Sequence, residues 1–350
     1  MAEQSFGDVL VQQVNTATEA IRNISDINTV DVATAPKDVV WEDGKVKLFH
    51  FRRDAKAKAK TPVLVVYALV NRWEMMDLQP NRSFIRKLVE EGMDVYVIDW
   101  GYASRIDRYK TIEDYIMGNV NDCVEFIRRS HDLPSINLLG VCQGGTFSVI
   151  YSSLFPEKVK NLVTLVTPVD FDNEEGLLFR WAKDLDVDAM VDGFGGVIPG
   201  EFLNTGFDLL KPMNKTRKYL SLPETLQEKD KLMNFLRMEK WVADSPDQAG
   251  ETYRQFIKDF YQKNLLIKDQ FELAGRKVEL KNITMPLLTI FAKEDHIVPP
   301  ATTKPLNDKV GSKDKQLMEF PGGHIGVFVG SKSQNLLTPT VAKWFIERDK

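Results

Sequence analysis

The 350-residue chain has few of the residues that build disulfide or metal frameworks, with two cysteines and four histidines. At most one disulfide could form, and a chain of this length can bury a large core without one. The formal net charge is −4, so no basic excess would attract nucleic acid. We therefore predict an ordinary globular protein with no metal, no bound cofactor and no nucleic-acid partner.

Long hydrophobic runs are also missing. The longest apolar stretch covers residues 63–70, far short of the roughly 20 residues that a membrane-spanning helix needs. A run this short predicts a buried central strand and no transmembrane segment. Residues 1–8 lack the basic and apolar regions of a secretory signal, so we expect the protein to stay in the cytoplasm.

Strand and helix patterns alternate along the first half of the chain. The helix patterns lie near residues 82–91, 113–130 and 146–154, and the strand patterns near 46–51, 63–70, 94–99, 136–140 and 161–167. This rhythm predicts a mainly parallel, doubly wound α/β sheet. The alternation stops at Phe171 and resumes near Leu287, which leaves an insertion far longer than a usual connection.

These patterns divide the chain into four parts. We predict an N-terminal helical segment over residues 1–40, a first core part over 41–171, an inserted cap over 172–284 and a second core part over 285–350. Apolar residues near the start repeat with a 4-3-4-3 spacing that places them on one helix face: Leu10, Val14, Ala17, Ile21 and Ile24. This face would dock on the core or bind a partner's helix.

The most informative segment is residues 140–145, GVCQGG, which joins a predicted strand to a predicted helix. A side chain presented on so sharp a turn needs a strained backbone and small neighbours, which the glycines supply. The pattern therefore predicts a nucleophile elbow that carries Cys142. A lone cysteine is more often a buried apolar residue, so its partners decide the matter. The other cysteine, Cys123, lies in a helix pattern and is predicted to be a core thiol.

The partners follow late in the chain. An α/β-hydrolase fold supplies its triad in the chain order nucleophile, acid, histidine. Asp295 follows the predicted strand at 286–291, and His324 lies in a glycine-rich turn after the apolar segment 316–320. We therefore predict an α/β-hydrolase fold, with a mainly parallel sheet and an inserted cap, in which Cys142, Asp295 and His324 form the triad.

Two other carboxylates compete for the role of the acid. Asp99 and Asp170 also follow predicted strands. Asp99 precedes Cys142 in the chain, which breaks the usual order. Asp170 comes directly after the strand that follows the elbow, so it is the second choice behind Asp295.

The other three histidines have simpler interpretations. His50 alternates with apolar residues in a strand pattern, and His131 ends a helix pattern, where a cation complements the helix dipole. His296 lies beside Asp295, where a supporting role suits it better than that of the base. These interpretations leave His324 as the predicted base.

A thiol nucleophile indicates acyl transfer from another thioester. Thiol–thioester exchange is nearly isoenergetic, so the acyl group stays activated toward a later hydroxyl. We expect His324 to deprotonate Cys142, and Asp295 either to orient the imidazole or to help activate the attacking hydroxyl. Two backbone N–H groups, one from Gln143 and one from the loop around Val70, would bind the oxyanion.

The predicted cap is rich in aromatic side chains. We expect most of them to build the cap's own core and a minority to line an apolar channel over Cys142. The set is Phe179, Trp181, Phe194, Phe202, Phe207, Tyr219, Phe235, Trp241, Tyr253, Phe256, Phe260 and Tyr261. Arg72, in the loop that leaves the first long strand, would contact a coenzyme A phosphate or form a surface ion pair.

Nearly the whole chain resembles the catalytic C subunit of polyhydroxyalkanoate synthases of the short, two-subunit kind. The segments that carry the resemblance are residues 67–72, 97–102, 138–145, 167–171, 237–241, 245–252, 295–300 and 320–326. The resemblance implies polymerisation of (R)-3-hydroxyacyl-CoA, chiefly 3-hydroxybutyryl-CoA, to polyester with release of coenzyme A. It places the family's catalytic cysteine, aspartate and histidine on Cys142, Asp295 and His324, with coenzyme A entering only as part of the substrate.

The resemblance also implies partners and a location. It implies a second synthase subunit and residence at the surface of polyhydroxyalkanoate granules, and we also expect a homodimer. Gln143 and the turn at residues 320–324 look more like the kind paired with an E-type subunit than the kind paired with an R-type subunit.

Two other functions compete with this interpretation. A cysteine-triad hydrolase of the thioesterase or dienelactone hydrolase kind would transfer the acyl group to water, but such enzymes are small and need no large aromatic cover. A non-catalytic granule-surface protein would have no need of an intact triad. The reaction product distinguishes the hydrolase from the synthase, because transfer to water yields a free hydroxy acid and polymerisation yields polyester.

Overall fold

The computed structural model describes residues 29–53, 56–174, 176–213 and 222–349, together with residues 18, 20, 22–24, 27 and 220. The predicted N-terminal apolar face lies largely outside the described residues. Of its members only Ile24 is described, and its side chain is exposed. Tyr219 of the predicted cap also lies outside them.

The main sheet, within the described part of the chain, has eight strands in the order β1-β2-β6-β3-β7-β8-β13-β14. Strands β1 and β2 pair antiparallel with each other and β2 pairs antiparallel with β6, whereas the other pairs are parallel. The strands are β1 (Lys37–Asp43), β2 (Val46–Phe51), β3 (Val63–Val66), β4 (Asp77–Gln79), β5 (Arg82–Ser83), β6 (Val95–Asp99), β7 (Ile136–Val141), β8 (Val159–Leu165), β9 (Val197–Ile198), β10 (Gln248–Ala249), β11 (Glu272–Leu273), β12 (Arg276–Lys277), β13 (Leu287–Ala292) and β14 (Lys315–Phe320).

Helices cover both faces of this sheet. The α-helices are α1 (Phe84–Glu90), α2 (Asn121–His131), α3 (Gln143–Leu154), α4 (Leu177–Lys183), α5 (Val187–Gly193), α6 (Gly200–Leu210), α7 (Leu222–Gln227), α8 (Lys229–Ala243), α9 (Gly250–Gln255), α10 (Pro300–Thr303), α11 (Leu306–Lys309), α12 (Gly326–Val329) and α13 (Thr338–Glu347). Three π-helical segments, Asp114–Val120, Phe256–Gln262 and Ser333–Leu337, adjoin α2, α9 and α13. The described 3₁₀ turns are Trp73–Met76, Arg105–Asp107, Pro156–Lys158 and Leu280–Asn282.

The central strands are mostly apolar and deeply buried because the sheet is covered on both faces. Strands β3, β7 and β13 are buried at every residue. Successive side chains of a strand point to opposite faces, so Leu64 and Val66 join one core cluster whereas Val63 and Val65 join the other. The predicted fold class, a mainly parallel α/β sheet, is confirmed.

The sheet begins earlier than the sequence indicated. Strand β1 starts at Lys37, within the segment 1–40 that was predicted to be helical, so the predicted boundary at residue 41 falls inside a strand. This strand lies at the edge of the sheet and is half-exposed, which weakens its apolar pattern. The signal that would have found it is Asp43-Gly44, since Gly44 has φ +56° and forms the hairpin turn into β2.

The strand predicted over residues 63–70 is also shorter than expected. It ends at Val66, and the apolar residues that follow form a loop at the carboxyl end of the sheet. Asn71 in this loop has φ +58°, a left-handed backbone conformation that ends the extended chain. The apolar run is thus shared between a central strand and a loop that faces the site.

Residues 172–284, here called the cap segment, connect β8 to β13. Their described part holds the helices α4–α9 and the short strand pairs β9 with β10 and β11 with β12. A small cluster of buried residues holds part of the segment together, with Val187 and Ile198 among its members. Phe179 and Phe260 are fully buried in the larger core cluster beside the sheet. The segment therefore packs both on itself and on the core.

Candidate active site

Cys142 lies on the sharp turn between strand β7 and helix α3. Its backbone has φ +53° and ψ −124°, a conformation that L-residues rarely adopt. The turn is fixed because Cys142 N donates to Leu165 O at 3.0 Å and Cys142 O accepts from Gly145 N at 2.9 Å. The strained turn is the geometry that a nucleophile elbow requires.

Close packing explains the two glycines after Gln143. A Cβ atom at Gly144 would lie 2.2 Å from Val66 O, and one at Gly145 would lie 1.8 Å from Thr167 Oγ1. Both distances are too short for any side chain. Helix α3 therefore starts directly against β3 and the end of β8, which holds the Cys142 side chain above the sheet.

His324 and Asp295 form a buried pair at the same edge of the sheet. Asp295 follows β13 and His324 follows β14, so parallel strands bring both to the carboxyl end where Cys142 lies. His324 Nδ1 donates to Asp295 Oδ2 at 2.7 Å. The other carboxylate oxygen, Oδ1, accepts from the N–H groups of Ile297 at 2.9 Å and Val298 at 2.8 Å. Asp295 is therefore held in one orientation by three hydrogen bonds.

The charge state of His324 follows from its surroundings. Burial by itself lowers its pKa, but the Asp295 carboxylate and the Cys142 side chain outweigh this and raise the pKa to about 10. A hydrogen bond to Cys142 is among the interactions that raise it. The raised pKa favours the imidazolium form of His324 at neutral pH, which places a cation beside the Cys142 side chain.

The competing carboxylates are engaged elsewhere. Asp170 Oδ1 accepts from Asn264 Nδ2 at 2.7 Å. Asp99 pairs with Arg72, with Oδ1 at 3.0 Å from Nη1 and Oδ2 at 3.0 Å from Nη2. The structure brings Asp295 to His324 and leaves these two in other networks.

His50, His131 and the second cysteine lie apart from the elbow, whereas His296 adjoins Asp295 and feels the charges of Asp295 and His324. His50 in β2 and His131 at the end of α2 contact Asp94 and Tyr96 near the opposite end of the sheet. His296 is half-buried, and burial followed by the charge of Lys211 lowers its pKa. Cys123 is fully buried in α2, as predicted.

The two residues predicted to supply backbone N–H groups, Val70 and Gln143, line the same cavity as Cys142. Gln143 is the first residue of α3, and the first N–H groups of a helix have no acceptor within it. Gln143 Oε1 accepts from Leu69 N at 3.0 Å, which ties the loop after β3 to the elbow. Val70 comes next in that loop and lines the same cavity as Gln143 and Cys142.

An apolar cavity of about 280 Å³ lies over Cys142 and His324. The core contributes Tyr67, Val70 and Ile297 to its wall, and the cap segment contributes aliphatic and aromatic side chains. The aromatic side chains of the cap segment that line it are Phe207, Trp241, Tyr253, Phe256 and Tyr261. Burial followed by the charge of Cys142 raises the pKa of Tyr261, so its hydroxyl stays protonated.

Arg72 forms ion pairs, as one of the two sequence interpretations predicted, but they are buried and not at the surface. Its side chain pairs with Glu74 at 2.8 Å and with Asp99 at 3.0 Å. The contact with a coenzyme A phosphate stays a prediction. The sequence offers no local signal for this network, because Asp99 is brought to Arg72 by the neighbouring strands β3 and β6.

Comparison with known proteins identifies the family. Residues 61–331 match the model of the alpha/beta hydrolase fold, and residues 10–88 match that of the poly-beta-hydroxybutyrate polymerase (PhaC) N-terminus. The poly(3-hydroxyalkanoate) polymerase subunit PhaC of Allochromatium vinosum is 48% identical over 333 residues, which are 94% of each chain. The chain belongs to the poly(3-hydroxyalkanoate) polymerase family. The predicted family is thereby confirmed.

Other members of the polymerase family are similarly close. The subunit PhaC of Synechocystis sp. is 48% identical over 94% of this chain and 89% of its own length. Among solved structures, a monoacylglycerol lipase of Paleococcus ferrophilus has a TM-score of 0.52 at 16% identity, over 85% of this chain and 99% of its own. That likeness shows the α/β-hydrolase fold alone.

The described part of this polymerase-family chain lacks two features, a metal-binding group of side chains and a membrane-spanning helix. No group of three or more His, Cys, Asp or Glu side chains in the described ranges is arranged to hold a metal ion. No helix among the described residues is long and apolar enough to span a membrane.

Proposed function

We propose that this chain is the catalytic subunit of a poly(3-hydroxyalkanoate) polymerase, which joins the acyl groups of (R)-3-hydroxyacyl-CoA into polyester. Chiefly 3-hydroxybutyryl-CoA serves as substrate. The observation that carries this proposal is a cysteine elbow facing a buried His–Asp pair under an apolar cover, in a chain of this family.

In the proposed first step, the Cys142 thiolate attacks the thioester carbonyl carbon of the substrate. The backbone N–H groups of Val70 and Gln143 bind the oxyanion, and the bond from the carbonyl carbon to the coenzyme A sulfur then breaks. The imidazolium of His324 gives its proton to the departing thiolate. Coenzyme A leaves as a thiol, and the acyl group remains as a thioester on Cys142.

In the second step, the hydroxyl group of another 3-hydroxyacyl unit attacks the acyl-Cys142 thioester. His324, now neutral, accepts the hydroxyl proton while the new ester bond forms and the Cys142 sulfur leaves. Both oxygens of Asp295 already hold hydrogen bonds, which supports a role in orienting His324 rather than in taking the hydroxyl proton itself.

The cavity supports transfer to a hydroxyl in preference to water. Residues 172–284 are proposed to form a cap that keeps water from the acyl intermediate. Its apolar wall matches the aliphatic character of a polyester chain. In this apolar cavity the Cys142 thiolate would be stabilised mainly by the imidazolium of His324.

The proposal extends to partners and location. We propose a second synthase subunit of the E type, with an R-type subunit as the alternative, and a homodimer of this chain at the surface of polyhydroxyalkanoate granules in the cytoplasm. The relatives are named polymerase subunit PhaC, which supports an assembly of more than one kind of chain in those proteins.

The test is coenzyme A release from (R)-3-hydroxybutyryl-CoA by the purified chain, with and without an E-type subunit, followed by analysis of the acyl product. We expect release together with insoluble polyester, and faster release with the second subunit. Free 3-hydroxybutyrate as the only product would mean that water accepts the acyl group, and the hydrolase alternative would replace the polymerase.

The two cysteines provide matched variants for this test. Cys142→Ala should abolish coenzyme A release, whereas Cys123→Ala should retain it, because Cys123 is fully buried and burial raises its pKa. Polymer formation by Cys142→Ala at the wild-type level would contradict the proposal and favour a scaffold protein with another source of catalysis.

A further inference from the structure

Two segments singled out by the resemblance, residues 237–241 and 245–252, have no part in the triad. Residues 237–241 lie in helix α8, and residues 245–252 run from the turn after α8 through β10 into the start of α9, all within the cap segment. Their side chains contact residues 67–72, here called the oxyanion loop, which carries Val70. These contacts join distant parts of the chain, since Trp241 and Arg72 are 169 positions apart in the sequence.

Two hydrogen bonds fix the oxyanion loop from the cap side. Trp241 Nε1 donates to Arg72 O at 2.7 Å, and the contact is buried. Ser245 Oγ lies 3.0 Å from Asn71 Oδ1, which shares the single hydroxyl proton with Asn204 Oδ1 at 3.0 Å and Val242 O at 3.1 Å. The two bonds fall on the two residues that directly follow Val70.

The loop backbone turns sharply at this point. Asn71 has φ +58°, a left-handed conformation that asparagine adopts more readily than most residues, and it directs the chain away from strand β3. On the core side, Gln143 Oε1 holds Leu69 N at 3.0 Å. Val70 therefore has a residue hydrogen-bonded to the elbow before it and two residues hydrogen-bonded to the cap segment after it.

A second set of contacts continues from Arg72. The Arg72 guanidinium lies over the Tyr102 ring, 4.5 Å from its centroid, and Tyr102 Oη donates to Asp244 Oδ1 at 2.7 Å. Asp244 is the residue between α8 and Ser245. The side chains of Arg72, Tyr102 and Asp244 thus link the oxyanion loop to the end of α8.

Helix α8 is itself anchored, so it can serve as a fixed support. Arg237 Nη1 donates to Gln79 Oε1 of strand β4 at 3.0 Å. Lys240 Nζ donates to Val30 O at 2.6 Å, which attaches the helix to the chain that precedes β1. The residues 237–241 therefore contact the core on one side and the oxyanion loop on the other.

We propose that Trp241 and Ser245 are positioning residues that hold the Val70 N–H where the oxyanion forms. This inference rests on the proposed function, including Val70 as an oxyanion donor. A donor contributes to catalysis only when it is aimed at the place where charge develops, and a shift of about 1 Å removes much of its effect. The cap segment would thus complete the catalytic site as well as cover it.

The test compares two reactions of the same sulfur atom. Acylation of Cys142 by 3-hydroxybutyryl-CoA forms an oxyanion, whereas alkylation by iodoacetamide displaces iodide from a saturated carbon and forms none. Trp241→Phe keeps an aromatic ring and loses the N–H donor. We expect its maximal rate of Cys142 acylation to fall about tenfold or more, with alkylation within about twofold of wild type.

Three further variants sharpen the test. Ser245→Ala should slow acylation in the same selective way, and Ser245→Thr should restore it because the hydroxyl is kept. Trp344→Phe is the matched control, since Trp344 is buried like Trp241 but its Nε1 has no hydrogen-bond partner in the described part of the chain. We expect Trp344→Phe to acylate at the wild-type rate.

The outcomes separate this inference from the proposed function. Wild-type acylation by both Trp241→Phe and Ser245→Ala would overturn the positioning role. Equal slowing of acylation and alkylation would overturn it too, because the defect would then lie in the thiolate or in the fold. If the wild-type chain is alkylated at Cys142 but never acylated there, the proposed function itself fails.

Discussion

The described part of the protein contains two His–Asp pairs of the same length, one at each end of its sheet. His324 Nδ1 and Asp295 Oδ2 are 2.7 Å apart at the carboxyl end of the parallel strands. His50 Nε2 and Asp94 Oδ1 are also 2.7 Å apart, near the start of β6. The hydrogen bond between histidine and aspartate therefore does not by itself distinguish an active site.

The surroundings of the two pairs make the difference. Asp94 also faces Arg53 at 3.3 Å, and His50 stacks on Tyr96 with ring centroids 4.2 Å apart. These neighbours neutralise and cover the pair. His324 instead faces Cys142 and an apolar cavity. A nucleophile and a space for the substrate convert a structural motif into a candidate catalytic one.

The largest expected difference between the two ends comes from replacing the histidines. His324→Gln should lower coenzyme A release by about 10³-fold or more, because the Cys142 thiolate loses its counter-ion and the hydroxyl loses its base. His50→Gln should retain release within about twofold. Steady-state release by both purified variants measures this, and equal losses would contradict the assigned roles.

The aspartates extend the comparison with a smaller effect. Asp295→Asn should lower coenzyme A release by about 10²-fold, because an amide no longer orients and stabilises the imidazolium. Asp94→Asn should keep activity but lower the free energy of unfolding by about 1–3 kcal/mol, since a buried carboxylate with several partners is lost. Urea unfolding and coenzyme A release are measured on both variants. Asp295→Asn should lose coenzyme A release, whereas Asp94→Asn should lose free energy of unfolding.

The pH dependence of stability should have opposite signs at the two ends. The pKa of His324 is raised to about 10 in the folded state, so its stabilisation is present below its unfolded pKa of about 6.5 and is lost as the pH rises through about 10. Burial lowers the pKa of His131, so its contribution is present above about 6.5 and is lost as the pH falls below that value.

Urea unfolding at about pH 5.5, 7.5 and 9.5 measures these contributions. The stability difference between wild type and His324→Gln should shrink from about pH 7.5 to 9.5. The difference between wild type and His131→Gln should shrink from about pH 7.5 to 5.5. The same direction of change in both variants would mean that one of the two pKa shifts has the wrong sign.

The smallest effect is expected at the rejected acid. Asp170→Asn should leave coenzyme A release within about twofold of wild type, because its carboxylate bonds Asn264 and not His324. Asp295→Asn in the same assay provides the comparison. A loss at Asp170 as large as that at Asp295 would reassign the acid.

Local patterns explain what the sequence could predict. Apolar runs of strand length marked β7, β8 and β13, and the glycines around Cys142 marked the elbow, since each depends on residues adjacent in the chain. Asp295 and His324 could be predicted because parallel strands bring their carboxyl ends to one edge of the sheet. The order of the triad along the chain then left few candidates.

Contacts between distant segments explain what it could not. The half-exposed edge strand β1 carries a weak pattern, with Val39 exposed, although the turn at Gly44 was a usable signal. The bond from Trp241 to Arg72 and the pairing of Arg72 with Asp99 join residues far apart in sequence. No periodicity encodes such contacts, so the role proposed for Trp241 needed the structure.

The most direct test of the central claim is to find the acyl group on the protein. The chain is mixed with (R)-3-hydroxybutyryl-CoA, quenched in acid within the first turnovers, digested and examined by mass spectrometry. We predict 3-hydroxybutyryl units on the peptide that contains Cys142, removable by hydroxylamine, and none on the peptide that contains Cys123. Release of coenzyme A with no acyl group on Cys142 at any time would contradict the account.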